Sequence, residues 1–380
     1  MDKIKVVHII TKLELGGAQV NTIYTYEHLD ASCFEPWLIC GPGGILTEGI
    51  VKKENLVILN YLKRAINPFN DLKAYFHMRK LLRQIKPDIV HTHSSKAGII
   101  GRLAAFAAGV PVIIHSVHGF SFSPFQSFLK RNIYIAAEKF VASRTTHFIF
   151  VSKDDIQIAR EKKLIADNFS LIRSGFPFPK FLEKGTDTEL LREKYHLAPT
   201  DFVCGVIAPF KAQKGLFHLI EIAARVIGAL AGKREVRFLI TGDGSLRPAI
   251  EAKLKEKNIY DYFRLPGFIL DIEKTIAIFD LGISTALWEG LPQSLVQLRL
   301  KKKAIVASDI PGNREVVQNN QNGFLVQVDD YLTFSQKVIT LIENEVLRTE
   351  MANFASEDFS AWNADFMVKE QESLYRRLQK

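Results

Sequence analysis

The chain has 380 residues, 47% of them hydrophobic and 24% charged. These proportions exclude a disordered, collagenous or low-complexity protein, and the length is enough for two domains with a core each. The formal charge of +9 is uneven: residues 1–180 carry 24 Lys and Arg against 14 Asp and Glu, residues 181–380 carry 26 against 27.

The chain enters an apolar strand, Val6–Ile10, without the charged, apolar and small-residue pattern of a leader, so the cytoplasm is the expected compartment. Gly16-Gly17 then precede a helical stretch, Ala18–Leu29. Strands are predicted at Phe34–Cys40, Leu56–Leu59, Asp88–Thr92, Pro111–Val117 and His147–Ser152. Helices are predicted over Asn70–Gln84, with Asn70 as N-cap and Asp71 in the first turn, and over Lys96–Ala108. The closest approach to a membrane span, Leu103–Ile114, is broken by Gly109 and Pro111 and falls short of the roughly 18 residues a crossing needs.

The pattern breaks over residues 174–200, where Phe176-Pro177-Phe178-Pro179 reads as extended and Glu189–Tyr195 as a short helix. A second set of strands follows at Phe202–Ile207, Val236–Thr241, Leu281–Ser284, Ala304–Ala307 and Phe324–Val328. The strands are continuously apolar, the mark of parallel sheets covered on both faces. The expected fold is therefore α/β, with two doubly wound, Rossmann-like domains at residues 1–178 and 179–363 joined by a hinge near 175–182. A charged amphipathic helix, 364–380, is expected to pack back on the first. Two such domains would face a central cleft at the carboxyl ends of their strands.

Cys33, Cys40 and Cys204 lack C-x-x-C spacing, so neither a disulfide framework nor a zinc site is expected, and a reducing compartment suits them. The positive first half points to a polyanionic neighbour or to scattered solubilising charge. No zinc finger, RNP-like aromatic motif or long basic run suggests nucleic acid.

The candidate chemistry lies at strand ends. Gly16-Gly17 allow close backbone approach, and the helix start after them offers free N–H groups to a phosphate, or they form an ordinary βα turn. They do not make a G-x-G-x-x-G fingerprint. His118-Gly119 ends a strand, and His118 there can handle a substrate hydroxyl or be a structural histidine. His91 and His93 share one side of their strand, but no third metal ligand has suitable spacing, so no metal is expected. Lys211-Ala212-Gln213-Lys214-Gly215 puts two lysines beside a helix start, which suits a diphosphate. Thr241-Gly242-Asp243-Gly244 is a second Gly-rich turn on the same edge. Trp288-Glu289-Gly290-Leu291-Pro292 places a carboxylate, Glu289, in a loop before an apolar helix. No D-x-D pair occurs, so phosphate charge would be met by lysines, amides and helix dipoles rather than by a metal.

Together these residues resemble the GT-B-fold, family 4 glycosyltransferases, over nearly the whole chain. In the first domain the resemblance rests on Gly16-Gly17-Ala18-Gln19, Pro87-Asp88-Ile89-Val90-His91-Thr92-His93, His118-Gly119 and Val151-Ser152. In the second it rests on Lys214-Gly215, Gly242-Asp243-Gly244, Pro266-Gly267-Phe268 and Glu289-Gly290-Leu291-Pro292. Ser94-Ser95-Lys96-Ala97-Gly98 and His118-Gly119-Phe120 look like the capsule and surface-polysaccharide branch.

The resemblance implies a retaining, metal-independent transfer from a nucleotide-diphosphate sugar to a glycan or polyprenyl-linked acceptor. It implies that Lys214, with Lys211, holds the donor diphosphate and that Glu289 and the amides after it, those of Gly290 and Leu291 ahead of Pro292, bind sugar hydroxyls. Gly16 and Gly17 would give the diphosphate or acceptor room, Gly242 would belong to the donor-binding set, His118 would contact the sugar and support the transition state, and Phe268 would lie by the nucleobase. Two positions depart from the family pattern. The second glutamate, expected on the ribose, is Gln297, and the arginine five residues before the lysine is Pro209. A neutral acceptor binds more weakly than a charged one, by about 1 kcal/mol. A catalytically weakened accessory subunit and a GT-B-fold sugar-nucleotide epimerase are the alternatives.

A last expectation concerns Phe120–Arg131. Ser123 reads as an N-cap and Pro124 as a first-turn residue. Phe125, Phe128 and Leu129 would then share a face beside Lys130 and Arg131, with Lys139 further on. That face either docks at the inner surface of an anionic membrane or packs into the first domain.

Overall fold

The computed structural model describes residues 3–14, 16–122, 126–183, 185–354 and 359–379. The chain divides into two compact units, Met1–Pro177 with Phe359–Lys380, and Phe178–Asp358.

The first unit is built on a seven-stranded parallel sheet. Its strands are β1 (Ile4–Ile10), β2 (Phe34–Cys40), β3 (Leu56–Ile58), β4 (Ile89–His93), β5 (Val112–Val117), β6 (His147–Phe150) and β7 (Phe169–Leu171), in the order β3-β2-β1-β4-β5-β6-β7. Successive residues point to opposite faces of a strand, and two cores follow from that alternation. Val7, Ile9, Val90 and Ile113 pack with Ala74, Met78, Leu82, Ala97 and Ala104 from helices Pro68–Ile85 and Ser95–Ala108. Val6, Ile89, Ile114 and Ile149 pack with Met367, Val368, Leu374 and Tyr375 of the C-terminal helix, Ala364–Leu378. That helix begins where Asn363 caps it and pairs with Phe176. Gly175 is obligatory there, because a Cβ would stand 2.4 Å from Ala364 Cα.

The second unit has a six-stranded parallel sheet. Its strands are β8 (Phe202–Ile207), β9 (Val236–Thr241), β10 (Phe263–Gly267), β11 (Leu281–Ser284), β12 (Ile305–Ser308) and β13 (Gly323–Val326), in the order β10-β9-β8-β11-β12-β13. Phe202, Cys204, Val206, Phe238, Ile240, Leu281 and Ile283 meet the apolar face of helix Leu216–Leu230 in one core.

Several boundaries differ from the sequence reading. The helix expected from Asn70 starts two residues earlier, at Pro68. Its cap is Asn67, whose side chain accepts from the Asn70 amide at 3.1 Å. Proline at the first helical position satisfies the same end, since its missing N–H would be unpaired anyway. The helix after Gly16 starts at Gly17. Strands β7 and β10 were not anticipated: one is three half-buried residues and the other holds Pro266 at the sheet edge. The helix expected near Ser123 begins at Phe128. Ser123, Pro124 and Phe125 lie outside the described residues.

Candidate active site

A sheet of this kind binds ligands outside the strand ends at the point where strand order reverses. In the second unit that point lies between β8 and β11, which pair in parallel. The loops leaving these two strands are laced together. The Leu287 amide donates to the Gln213 carbonyl at 2.8 Å, and the Thr285 hydroxyl to the Lys214 carbonyl at 3.1 Å. The Gln213 side-chain amide donates to the Trp288 carbonyl at 2.9 Å and to Glu289 Oε2 at 3.3 Å. Gly215 makes the lacing possible: its φ is +58°, and a Cβ would stand 2.0 Å from the Thr285 oxygen. The outcome is a direct ion pair between Lys214 Nζ and Glu289 Oε1, both largely screened from solvent.

Neighbouring loops brace this pair. The Phe210 amide donates to the Asp243 carbonyl at 2.9 Å, and the Gly242 amide to the Gly267 carbonyl at 2.8 Å. Gly242 has φ +145°, and a Cβ there would stand 2.1 Å from the Ala208 oxygen. That glycine therefore serves the close approach of two loops. Asp243 pairs with Arg247 at 2.9 Å, which with the Gly244 amide holds its carboxyl below the usual range. Phe268 is half exposed at the end of β10. Leu291 is buried, Pro292 caps helix Gln293–Leu300, and Gln297 is half-buried within that helix. The Gly290 carbonyl lies where a Cβ on Gly312 would come, at 2.1 Å.

In the first unit the strand order reverses between β1 and β4. Thr11 after β1 and Ser94 after β4 join through their hydroxyls at 2.9 Å, and Thr11 also accepts from the Ala97 amide at 3.1 Å. Ser94 sits at φ 61°, ψ 155°, a backbone position that few residues other than glycine adopt. Gly16 is extended, with φ −178°, so its conformation does not demand glycine.

Below these loops lies a group of buried imidazoles. The register of β1 on β4 sets His8 opposite His91, and alternation adds His93 to the same face. His8 Nδ1 is 3.1 Å from His93 Nε2, and His93 Nδ1 is 3.4 Å from His118 Nε2. Burial lowers the pKa of His8 to about 3 and that of His118 to about 4, and holds His91 and His93 well below the ordinary value. Ring nitrogens of His8, His91 and His93 lie within 4.8 Å of one another, a spacing open to a metal ion. The donor set fits one poorly. His91 spends Nδ1 on the Tyr375 hydroxyl at 2.6 Å and Nε2 on the Ser116 hydroxyl at 2.7 Å.

Comparison with known proteins follows the same division. Residues 15–177 match the family described as Glycosyltransferase Family 4, and residues 201–344 the one described as Glycosyl transferases group 1. The UDP-Gal:alpha-D-GlcNAc-diphosphoundecaprenol alpha-1,3-galactosyltransferase of Escherichia coli is 30% identical over 98% of this chain and 97% of its own. The chain belongs to the family 4 glycosyltransferases.

The N,N'-diacetylbacillosaminyl-diphospho-undecaprenol alpha-1,3-N-acetylgalactosaminyltransferase of Campylobacter jejuni is 26% identical to this glycosyltransferase, over 85% of this chain and 86% of its own. Among solved structures, Anabaena HepE in complex with UDP and glucose superposes with a TM-score of 0.84 at 18% identity, covering 98% and 100% of the two chains. The likeness is one of fold: the glycosyltransferase has two parallel-sheet, Rossmann-like domains of the GT-B type.

The glycosyltransferase brings Lys214 and Glu289 into contact, and Gly242, Gly290, Leu291, Pro292, Gln297 and Phe268 belong to the same unit, as Lys211 does. Gly16, Gly17 and His118 belong to the other. The sequence reading missed Gln213, which fastens Glu289 in place, and it missed His8. Counting spacings along the chain finds no third histidine near His91 and His93. The partner comes from a neighbouring strand and becomes visible once β1 and β4 are recognised as adjacent.

Proposed function

We propose that this glycosyltransferase moves a hexose, with retention and without a metal, from a uridine-diphosphate sugar to a polyprenyl-diphosphate-linked saccharide during surface-polysaccharide assembly. The observation that carries this reading is the Lys214–Glu289 pair at the strand-order reversal of the second unit. The relatives from Escherichia coli and Campylobacter jejuni are named for diphosphoundecaprenol-linked acceptors, and the former for a UDP-linked donor. On this reading residues 179–363 form the donor domain and residues 1–178 the acceptor domain.

The chemistry follows from the pair. A donor diphosphate competes with Glu289 for the Lys214 ammonium, and Lys211 adds a second positive charge. Release of Glu289 leaves a carboxylate to accept from the sugar hydroxyls, with the amides of Gly290 and Leu291 beside it. The bond from the anomeric carbon to the diphosphate breaks, and the bond to the acceptor oxygen forms. The acceptor proton leaves with the diphosphate, whose growing charge Lys214 stabilises. His118 contacts the sugar, Gln297 accepts from the ribose, and Phe268 lies by the base, while Gly16 and Gly17 keep side chains away from the donor and Gly242, by letting two loops approach, shapes the donor site.

No helix among the described residues is long and apolar enough to cross a membrane. We infer that the first domain reaches its lipid-linked acceptor by docking at the inner face of the cell membrane. Helix Phe128–Ala142 supports this: Phe128 is 75% and Leu129 71% exposed, and Ile133, Phe140, Lys130 and Lys139 are exposed with them. Phe120 and Phe122, by contrast, stack at 4.6 Å inside the domain.

The donor half of the reading is tested by a thermal-shift panel of nucleoside diphosphates and their sugars. Binding to the native state raises its apparent stability. UDP and one UDP-hexose are expected to raise the melting temperature, and the same rise is expected with EDTA present. No rise with any nucleotide would contradict the reading.

A further inference from the structure

Three imidazoles, His8 and His93 buried and His118 half-buried, lie end to end: His8 to His93 at 3.1 Å, and His93 to His118 at 3.4 Å. Each contact joins Nδ1 of one ring to Nε2 of the next. A neutral imidazole has one N–H, so a ring in the middle must donate on one side and accept on the other. Both hydrogen bonds therefore form only when the three rings share a tautomer, with protons on every Nδ1 or on every Nε2. The rings are neutral near pH 7, since burial lowers their proton affinity. His91 stands outside the chain, because Tyr375 and Ser116 take both of its nitrogens.

The two states differ at the ends. Protons on Nε2 leave His8 with a buried N–H, and protons on Nδ1 leave it with a buried lone pair. His8 is fully buried, its Nε2 has no hydrogen-bond partner, and it does not line the small cavity beside His93 and His118. A buried N–H without an acceptor is the rarer defect in folded proteins. We propose that this chain, anchored at His8, fixes His118 with its proton on Nδ1, so that the ring presents a donor to a sugar oxygen instead of a lone pair. The functional consequence rests on the reading of His118 as a sugar contact, whereas the tautomer does not. His8 and His93 are then positioning residues that act through His118.

The test is a long-range proton–nitrogen NMR spectrum of the full chain labelled with nitrogen-15 histidine, at pH 7.5. Spectra of His8→Leu, His93→Gln and His118→Gln assign the three rings by loss of signal. His8, His93 and His118 are each expected to be neutral with the proton on Nδ1. A proton on Nε2 of His118, or different tautomers along the chain, would overturn the proposal. This readout needs no turnover, so it is separate from any failure of the sugar-transfer reading, which the nucleotide panel judges. In His8→Leu the His118 signal should shift towards the other tautomer. kcat should fall on the order of tenfold with KM little changed, as when other partners that fix an imidazole are removed. His8→Asn, which returns an N–H near the position of Nδ1, should recover most of the loss. An unchanged His118 signal in His8→Leu would remove His8 from the role. Should that variant fail to fold, the wild-type spectrum still decides the tautomer, with the other two variants supplying the assignments.

Discussion

Lys214 and Glu289 satisfy one another, so truncating either leaves the other without its counter-charge in a partly screened site. On the proposed reading, Lys214→Ala also takes away the cation that would meet the leaving diphosphate. Loss of such electrostatic stabilisation costs on the order of a hundredfold in rate. Steady-state transfer assays on this variant should show that loss, and near wild-type turnover would displace Lys214 from the diphosphate site. The imidazoles make a prediction about pH. His8, His91, His93 and His115 are buried and neutral when folded, with pKa values lowered chiefly by burial. Unfolded histidine titrates near 6.5. Below that pH the unfolded chain takes up protons that the folded chain refuses, so this stability is whole above about pH 6.5 and drains away as pH falls. For His8 the window runs down to about 3. Each such ring contributes about 1.4 kcal/mol per pH unit inside its window. Melting temperature should drop between pH 7.5 and 5.5, with a shallower drop in His8→Leu, and equal slopes would contradict the buried, neutral assignment. Lys214 and Glu289 were legible in the sequence because each sits beside a glycine where an apolar strand ends. His8 was not, because its neighbours are set by strand pairing.

Helix Ser95–Ala108 and helix Phe128–Ala142 are joined by a buried ion pair. Arg102 is fully buried and donates to Glu138 at 2.6 Å, with Thr145 and the Gly98 carbonyl taking further guanidinium bonds. Breaking a buried pair from one side strands the other charge, at a cost of about 3–5 kcal/mol. Glu138→Ala should therefore lower the denaturation midpoint of the first unit steeply, and a shift within the range of a surface substitution would contradict this account. The second helix also carries the exposed Phe128 and Leu129. Basic residues near an anionic surface contribute about 1 kcal/mol each. Vesicle co-sedimentation should show binding to anionic lipid that weakens at high salt and falls in Phe128→Ser/Leu129→Ser. Equal, negligible sedimentation with anionic and neutral vesicles would point to a soluble acceptor instead. The central strands, and helices Pro68–Ile85 and Ser95–Ala108, could be read from the sequence because their apolar runs are long. The start of Phe128–Ala142 could not, since Ser127 precedes it without a side-chain cap. β7 and β10 escaped because short edge strands bury too little to leave a pattern.

At the scale of the molecule, each unit places its polar cluster, a charged pair in one and an imidazole chain in the other, at the strand ends or sheet face that doubly wound topology prescribes. That topology was legible because the thirteen strands among the described residues lie in parallel sheets, which need continuous apolar runs separated by helices. Substrate identity was not, since the base, sugar and acceptor are read by a few side chains whose company depends on folding. The most direct measurement supplies the purified chain with a radiolabelled UDP-hexose and a polyprenyl-diphosphate-linked saccharide, with and without EDTA. The account predicts label in the lipid-linked product, an unchanged anomeric configuration, dependence on the acceptor, and little effect of the chelator. An altered sugar nucleotide released without acceptor, or a donor bound and never turned over, would contradict it.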